Sequence, residues 1–153
     1  MDKNLTELLD EKRRASEERG EDFQHQREQW LDRLNALYKE IEGWLYPARE
    51  KGHLSITYRK IPLMEDLLGR YEAPVMRIQF YNGRFIDLTP AGLHVIGARG
   101  RVDIDFGDRD VAIVGNMEDE GWTFAERKGR HYERFPFNQE SFEALLSDFV
   151  EKF

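Results

Sequence analysis

The first third of the chain carries large apolar residues at helical spacing. They are Phe23, Trp30, Leu34, Leu37, Ile41 and Trp44, with Leu31, Tyr38 and Leu45 beside them. Intervals of three, four and seven residues place them on one stripe of a helix, wide enough to cover a sheet. A short coiled-coil seam is the alternative use of this stripe. We expect the helix to end before Pro47, because a proline disfavours helical geometry at the residue that precedes it.

Residues 1–20 form a weaker helical pattern in front of this stripe. The charges there are mixed, Gly20 interrupts the pattern, and the sizeable apolar residues are Leu5, Leu8 and Leu9. We therefore predict a helical arm over residues 1–20, separate or frayed, followed by a single domain over residues 21–153. The three leucines are candidates for docking on a partner protein or on a second copy of the chain.

After Gly52 the apolar period changes from helical to alternating. The alternating runs are HLSITYRKI, APVMRIQFY, RFIDL, GLHVIGA, RVDIDF, DVAIV, WTFAE and HYERF. Turn signals separate most of them: Asn-Gly at 82–83, Thr-Pro-Ala-Gly at 89–92, Gly-Asp at 107–108, a loop at 116–121, and Lys-Gly at 128–129. Such short connections leave no room for crossover helices, so the pattern predicts an antiparallel meander of about six to eight strands.

The chain closes with a second helical pattern. Asn138 is a good N-cap, and the apolar stripe that follows consists of Phe142, Leu145, Leu146, Phe149 and Phe153. The predicted fold class is therefore α+β: an antiparallel sheet flanked by an N-terminal helix, one long or two consecutive, and a C-terminal helix.

Composition narrows the function classes. The chain has 153 residues, 40% of them hydrophobic, a formal net charge of -7 and no cysteine. The missing thiols exclude disulfides, cysteine nucleophiles and cysteine-ligated zinc. The acidic charge disfavours nucleic acid and anionic membranes as partners and favours a basic one. With no apolar run of membrane-spanning length and no secretory pattern at the start, we expect a soluble cytoplasmic protein.

The segment from Arg101 to Val114 combines acidic residues with an apolar run. A hairpin turn at 107–110 would place Phe106 opposite Val111 and Ile104 opposite Ile113, on one apolar face. The other face would then carry Arg101, Asp103 and Asp105. We expect this second face to be solvated.

A catalytic alternative rests on Asp103, Asp105, Glu126 and Lys128. Glu126 and Lys128 form Glu-x-Lys downstream of the strand with the two aspartates. This order resembles the metal-dependent nucleases of the PD-(D/E)xK group. The resemblance implies a nuclease or phosphodiesterase in which carboxylates hold Mg²⁺ and the lysine orients the attacking water.

The sequence GARGR at 97–101 suggests a turn that presents Arg99 and Arg101. Backbone amides and guanidinium groups there would grip a phosphate or a carboxylate. The alternative is an exposed hairpin tip whose arginines pair with Asp103 and Asp105. The four histidines lack metal-ligand spacing, and we expect neither a metal nor a cofactor.

The favoured function is a non-catalytic domain that acts by binding another protein. Small acidic domains without cysteine are common among bacterial immunity, inhibitor and adaptor proteins, which is an association at the level of the fold. The candidate binding residues are Leu5, Leu8 and Leu9 of the arm, the acidic loop Glu118, Asp119 and Glu120 with Trp122, and Arg99 and Arg101. A homodimer through the arm is an alternative to a different protein partner.

Overall fold

A computed structural model describes residues 2–95 and 97–153. The helix α1 (Leu5–Glu50) is followed by the strands β1 (Leu54–Glu65), β2 (Gly69–Phe80), β3 (Phe85–Val95), β4 (Ala98–Asp105), β5 (Asp110–Gly115), β6 (Trp122–Lys128) and β7 (His131–Pro136), and by the helix α2 (Gln139–Val150). The seven strands form one open antiparallel sheet in chain order, each paired with its sequence neighbours. The fold is α+β, as the alternation of apolar periods predicted.

The helix α1 is continuous over 46 residues. Asn4 caps its start by accepting a hydrogen bond from the backbone N–H of Glu7. It passes through Gly20 and Pro47 without a break, so the prediction that Pro47 ends it is wrong. Proline removes one hydrogen bond from the last turns, and Leu45 and Ala48, which pack on the core, hold those turns in place.

Both helices pack on the same face of the sheet. On α1 the buried residues are Trp30, Leu34, Leu37, Tyr38, Ile41 and Leu45, and on α2 they are Phe142, Leu145 and Leu146. They share one core with Val102, Ile104, Phe106, Val111 and Ile113 of the sheet. Trp44 lies partly buried between the helices, with ring centroids of Phe137 and Phe142 at 5.3 and 5.7 Å. The helix stripe and the apolar face of the β4–β5 hairpin therefore belong to one core.

The register of that hairpin differs from the predicted one by two residues. Ile104 lies opposite Val111 and Val102 opposite Ile113, because the strands end and begin at the facing pair Asp105 and Asp110. Since side chains alternate with a period of two, this shift leaves the apolar face unchanged. Asp103 lies on the outer face, as expected, but opposite Ala112. The expectation that this face is solvated is met only in part, because Ala112 and Val114 on it are 2% and 6% exposed.

The predicted turn at 89–92 is wrong, because β3 runs through it with a β-bulge between Pro90 and Gly92. The carboxylate of Glu65 accepts hydrogen bonds from the backbone N–H groups of Leu93, at 3.0 Å, and His94, at 2.9 Å. Gly92 has a φ of +148°, which favours glycine, and a Cβ atom there would lie 2.8 Å from a Glu65 oxygen, so a larger residue would strain the backbone and displace the Glu65 carboxylate. Residues 85–88 of the predicted run RFIDL and residues 92–95 of the predicted run GLHVIGA thus belong to one bulged strand, and Ile96 of the second run lies outside the described residues.

A chain of hydrogen bonds ties the bulge to α1. The indole Nε1–H of Trp30 donates to the hydroxyl oxygen of Tyr71 at 3.1 Å, and that hydroxyl donates to Glu65. The ring of Trp30 also lies against Gly100 of β4, where a Cβ atom would collide with it. Trp30 is therefore fixed between α1 and two strands. In the described residues, no helix combines the length and apolarity that crossing a membrane requires.

Candidate functional site

The N-terminal part of α1 is fully exposed. Every residue from 2 to 22 is solvent-accessible, and we call residues 5–22 of the helix the arm. Leu5, Leu8 and Leu9 have exposed fractions of 71%, 44% and 59%. Their spacing of three and four residues places them on one side of the helix at its tip. The arm thus presents an apolar patch on an otherwise charged helix.

The acidic loop between β5 and β6 is folded back on the protein. Asp119 accepts hydrogen bonds from the side-chain amide of Asn116, at 2.9 Å, and from the backbone N–H of Gly121, at 2.7 Å. These two interactions lower the pKa of Asp119. Glu118 and Glu120 are exposed. The three acidic residues therefore differ in role: Asp119 shapes the loop, and the other two face solvent.

Trp122 is half-buried rather than displayed. Its ring centroid lies 6.2 Å from that of Trp30, and the guanidinium carbon of Arg33 lies 4.5 Å from its centre. This arrangement covers one face of the indole with a cation. Trp122 was predicted to belong to the exposed binding surface, but its side chain packs partly on the core.

The two arginines of the GARGR segment lie on β4 rather than at a hairpin tip. Arg101 pairs with Asp103 through its Nε at 2.6 Å, on the outer face of the sheet. Arg99 instead points towards the acidic loop, with a nitrogen 3.8 Å from a carboxylate oxygen of Glu120. Asp105 accepts a hydrogen bond from the backbone N–H of Gly107 and caps the turn. The predicted turn presenting both arginines is thus not formed, and the two act separately.

A cleft of about 610 Å³ lies between α1, the β3–β4 hairpin and the acidic loop. Its lining from α1 includes Gln26, Gln29, Trp30 and Arg33, which share one helix face. The hairpin adds Leu93, His94 and Arg99, and the loop adds Met117 and Glu120. A concave site with an apolar floor and a few polar groups is the usual form of a small-molecule pocket, and its volume is in the range of such pockets.

Arg33 is the central charged group of this cleft. It donates hydrogen bonds to the backbone carbonyls of Arg99, at 2.9 Å, and Gly121, at 2.8 Å. Its Nε lies 3.9 Å from Glu120. Burial lowers the pKa of Arg33, and the negative charge of Glu120 opposes this change. Arg33 thus joins α1 to the sheet and to the loop.

Sequence reasoning did not identify Arg33. It follows Trp30 by three residues and precedes Leu37 by four, so it interrupts the apolar side of the helix. A charged residue among core positions is the signal that could have marked it.

The residues of the catalytic alternative lie on opposite faces of the sheet. Glu126 is opposite Val111, which is opposite Ile104, so Glu126 points to the helix-covered face. Lys128 is two residues further along and shares that face, with its nitrogen 3.6 Å from Glu126. Asp103 and Asp105 belong to the outer face. The structure therefore does not bring the four residues together, and over residues 2–95 and 97–153 no three carboxylates or histidines are grouped as a metal site.

Glu126 belongs instead to an ion network that holds α2. It is 5% exposed, and both of its carboxylate oxygens lie 2.7 Å from nitrogens of Arg109. Arg109 also donates to Asp148 of α2 at 3.0 Å. The bidentate contact with Arg109 lowers the pKa of Glu126. These groups are occupied with one another, which gives the Glu-x-Lys pattern a structural role.

Comparisons with protein-family models, with curated proteins and with solved structures find no match to this chain.

Proposed function

We propose that this protein is a protein-interaction domain that binds a partner protein through the arm. The observation that carries the proposal is the exposure of the whole arm together with the apolar patch of Leu5, Leu8 and Leu9 at its tip. Monomeric proteins seldom extend a helix into solvent with leucines grouped on one side unless that side is covered by another molecule.

The energetics of an isolated helix support the same proposal. Most helical stability in proteins comes from packing of an apolar face, so a helical segment that packs on nothing is only weakly stabilised. The arm has no buried residue, and its ion pairs are exposed: Arg13 pairs with Glu17, and Glu11 pairs with Lys3, which precedes the helix. Binding of the leucine patch would add the missing packing.

The chemistry of the partner follows from the arm. A helix with leucines at spacing i, i+3 and i+4 fits a hydrophobic groove on another protein. The net acidity of the chain favours a basic rim around that groove. The immunity, inhibitor and adaptor classes all act by binding another protein. The nuclease alternative has no supporting observation, since Asp103 and Glu126 face opposite sides of the sheet.

The test compares capture of proteins by the intact chain and by a variant of the patch. The variant is Leu5→Ser/Leu8→Ser/Leu9→Ser, and the control is Met64→Ser/Leu67→Ser, which removes two equally exposed apolar side chains outside the arm. Each protein is immobilised and exposed to an extract of the cells that make it naturally. Any captured protein is then purified, and its stoichiometry with the intact chain is measured by analytical ultracentrifugation.

We expect one partner to be retained by the intact chain and the control and lost by the triple variant. Light scattering of the intact chain alone shows whether that partner is a second copy. If no protein, this chain included, depends on the three leucines for binding, the proposal is wrong.

A further inference from the structure

The cleft beside Arg33 is built from three segments that are distant in sequence. Trp30 and Arg33 come from α1, Leu93 and Arg99 from the β3–β4 hairpin, and Glu120 from the acidic loop. Trp30 is 1% exposed and held by its hydrogen bond to Tyr71, so it forms a fixed support behind the apolar floor of the cleft. A rigid floor with polar groups at one end is suited to a ligand that has both an apolar and a polar part.

The charged residues that line the cleft are the cations Arg33 and Arg99 and the exposed carboxylates Asp32 and Glu120. Glu120 lies between the guanidinium groups of Arg33 and Arg99, at 3.9 and 3.8 Å, and is 81% exposed. Both distances exceed hydrogen-bond length, so Glu120 is an ion-pair partner only. The Nε–H of Arg33 is buried and donates no hydrogen bond to any residue that the structure describes. Such an unsatisfied cationic donor costs free energy until an acceptor reaches it.

We propose that the cleft binds a small organic anion, whose carboxylate or phosphate head lies between Arg33 and Arg99 and whose apolar body packs on Leu93 and Met117, with the buried Trp30 behind them. Glu120 holds the place of the anion in the free protein and swings into solvent when the ligand binds. The ligand head then supplies the acceptor that the Nε–H of Arg33 lacks. This site is independent of the arm and of the partner proposed for it.

Substitutions of Glu120 and Arg99 should change the affinity for the anion in opposite directions. Glu120→Gln removes the competing carboxylate and should tighten binding by about two- to fivefold, as expected for an exposed ion pair. Arg99→Ala removes one charged donor and should weaken binding by about tenfold or more. Arg101→Ala is the matched control, because Arg101 lies two residues away on the same strand and pairs with Asp103 outside the cleft. Arg33 is left intact, since it also holds the backbone of Arg99 and Gly121.

The experiment is a titration followed by amide chemical shifts in two-dimensional NMR spectra of the full chain. The probes are phenylacetate, phenyl phosphate and inorganic phosphate, each added to the original protein and to the three variants. Spectra without probe establish that every variant keeps the fold. Saturable shifts around Arg33, Leu93 and Glu120, with the order of affinities given above, are expected for at least one phenyl probe.

Three results would overturn the proposal. One is the absence of saturable binding of either phenyl probe to Glu120→Gln, which has the most open site. Another is that Arg99→Ala and Arg101→Ala bind the phenyl probes with equal affinity, which would mean that the probes do not bind in the cleft. The third is equal affinity for phenyl phosphate and inorganic phosphate, together with no binding of phenylacetate, which would leave no role for the apolar floor.

Discussion

The two parts of α1 have the same backbone structure and opposite surroundings. From Trp30 to Leu45 the helix buries a side chain at nearly every turn against the sheet, whereas the arm buries none. The packed part is stabilised by removal of apolar surface from water, which contributes about 25 cal/mol per Å². The arm depends on local interactions alone: the Asn4 cap, worth about 0.5–2 kcal/mol, and exposed ion pairs, each worth at most about 1 kcal/mol.

The difference shows that continuity of a helix does not imply uniform stability along it. Local opening in proteins ranges from almost no free energy at exposed termini to the full unfolding free energy in the core. We expect this range to be spanned within α1, with the transition near Phe23, the first residue of the helix that packs partly on the core.

The largest expected contrast is between two leucines of this helix. Leu34 is fully buried, so Leu34→Ala should lower the free energy of unfolding by about 2–5 kcal/mol. Leu9→Ala removes the same atoms from the exposed arm and should change it by less than about 0.5 kcal/mol. Urea unfolding followed by tryptophan fluorescence measures both. A large loss for Leu9 would mean that the arm is packed on the domain or on another copy.

The strand β4 provides the same contrast between a buried and an exposed side chain. Ile104 is in the core, and Ile104→Ala should cost about 2–5 kcal/mol. Asp103 is half-exposed and paired with Arg101 on the outer face, so Asp103→Ala should cost less than about 1 kcal/mol. Comparable losses in urea denaturation would show that the outer face is as important for stability as the helix-covered face.

An ion pair in the core should contribute more to the free energy of unfolding than an ion pair in the arm. Glu126→Gln weakens a buried bidentate contact with Arg109 and should cost about 1.5–3 kcal/mol at neutral pH. The control, Glu17→Gln, removes an exposed pair with Arg13 and should cost almost nothing.

The same pair of variants carries a dependence on pH. Folding lowers the pKa of Glu126, so its contribution is complete above the pKa of the unfolded chain, about 4.3, and is lost as the pH falls through the folded pKa. Urea unfolding at several pH values from 7 to 3 should therefore show the difference between the original protein and Glu126→Gln shrinking below about pH 4. A difference that stays constant would mean that the charge of Glu126 is not what stabilises this contact.

The smallest expected effects come from the two glycines of α1. A Cβ atom at Gly20 or at Gly43 would meet no heavy atom within 4 Å, so alanine fits at both positions and favours the helix by about 0.5–1 kcal/mol. Gly43→Ala should raise the global unfolding free energy by that amount. Gly20→Ala should instead slow amide hydrogen exchange within the arm and leave the global value unchanged. Equal global stabilisation by both would show that the arm unfolds together with the core.

The elements that depend on local pattern were predictable from the sequence. The stripe from Trp30 to Leu45, the Asn138 cap and the turns at 82–83, 107–108 and 128–129 all follow from residue types within a few positions. These features fixed the fold class, because consecutive strands with tight connections leave few topologies.

The features that failed depend on distant residues. A turn was expected at 89–92, but the chain forms a β-bulge there, and the carboxylate of Glu65 accepts a hydrogen bond from the backbone N–H of Leu93. These two residues are 28 positions apart in the sequence, so no local pattern reveals the contact. Packing of the residues around Pro47 overrides the local preference of proline to end the helix. The leucine patch was identifiable because exposure and spacing are local, whereas the cleft was not, because its lining comes from three separate segments.

The order of the strands has a consequence for the way the chain reaches this structure. Each strand pairs with the one made immediately before it, so the sheet can grow hairpin by hairpin from contacts that are short in sequence. The helix α1 is synthesised before the strands. Its Arg33 can donate its hydrogen bond to the carbonyl of Gly121 only after 88 more residues have been made. During synthesis the stripe of α1 first meets β1 and β2, and the part of it that packs on the later strands stays uncovered until those strands are made. We expect this interval, rather than the pairing of strands, to be the stage at which the chain is most prone to aggregate.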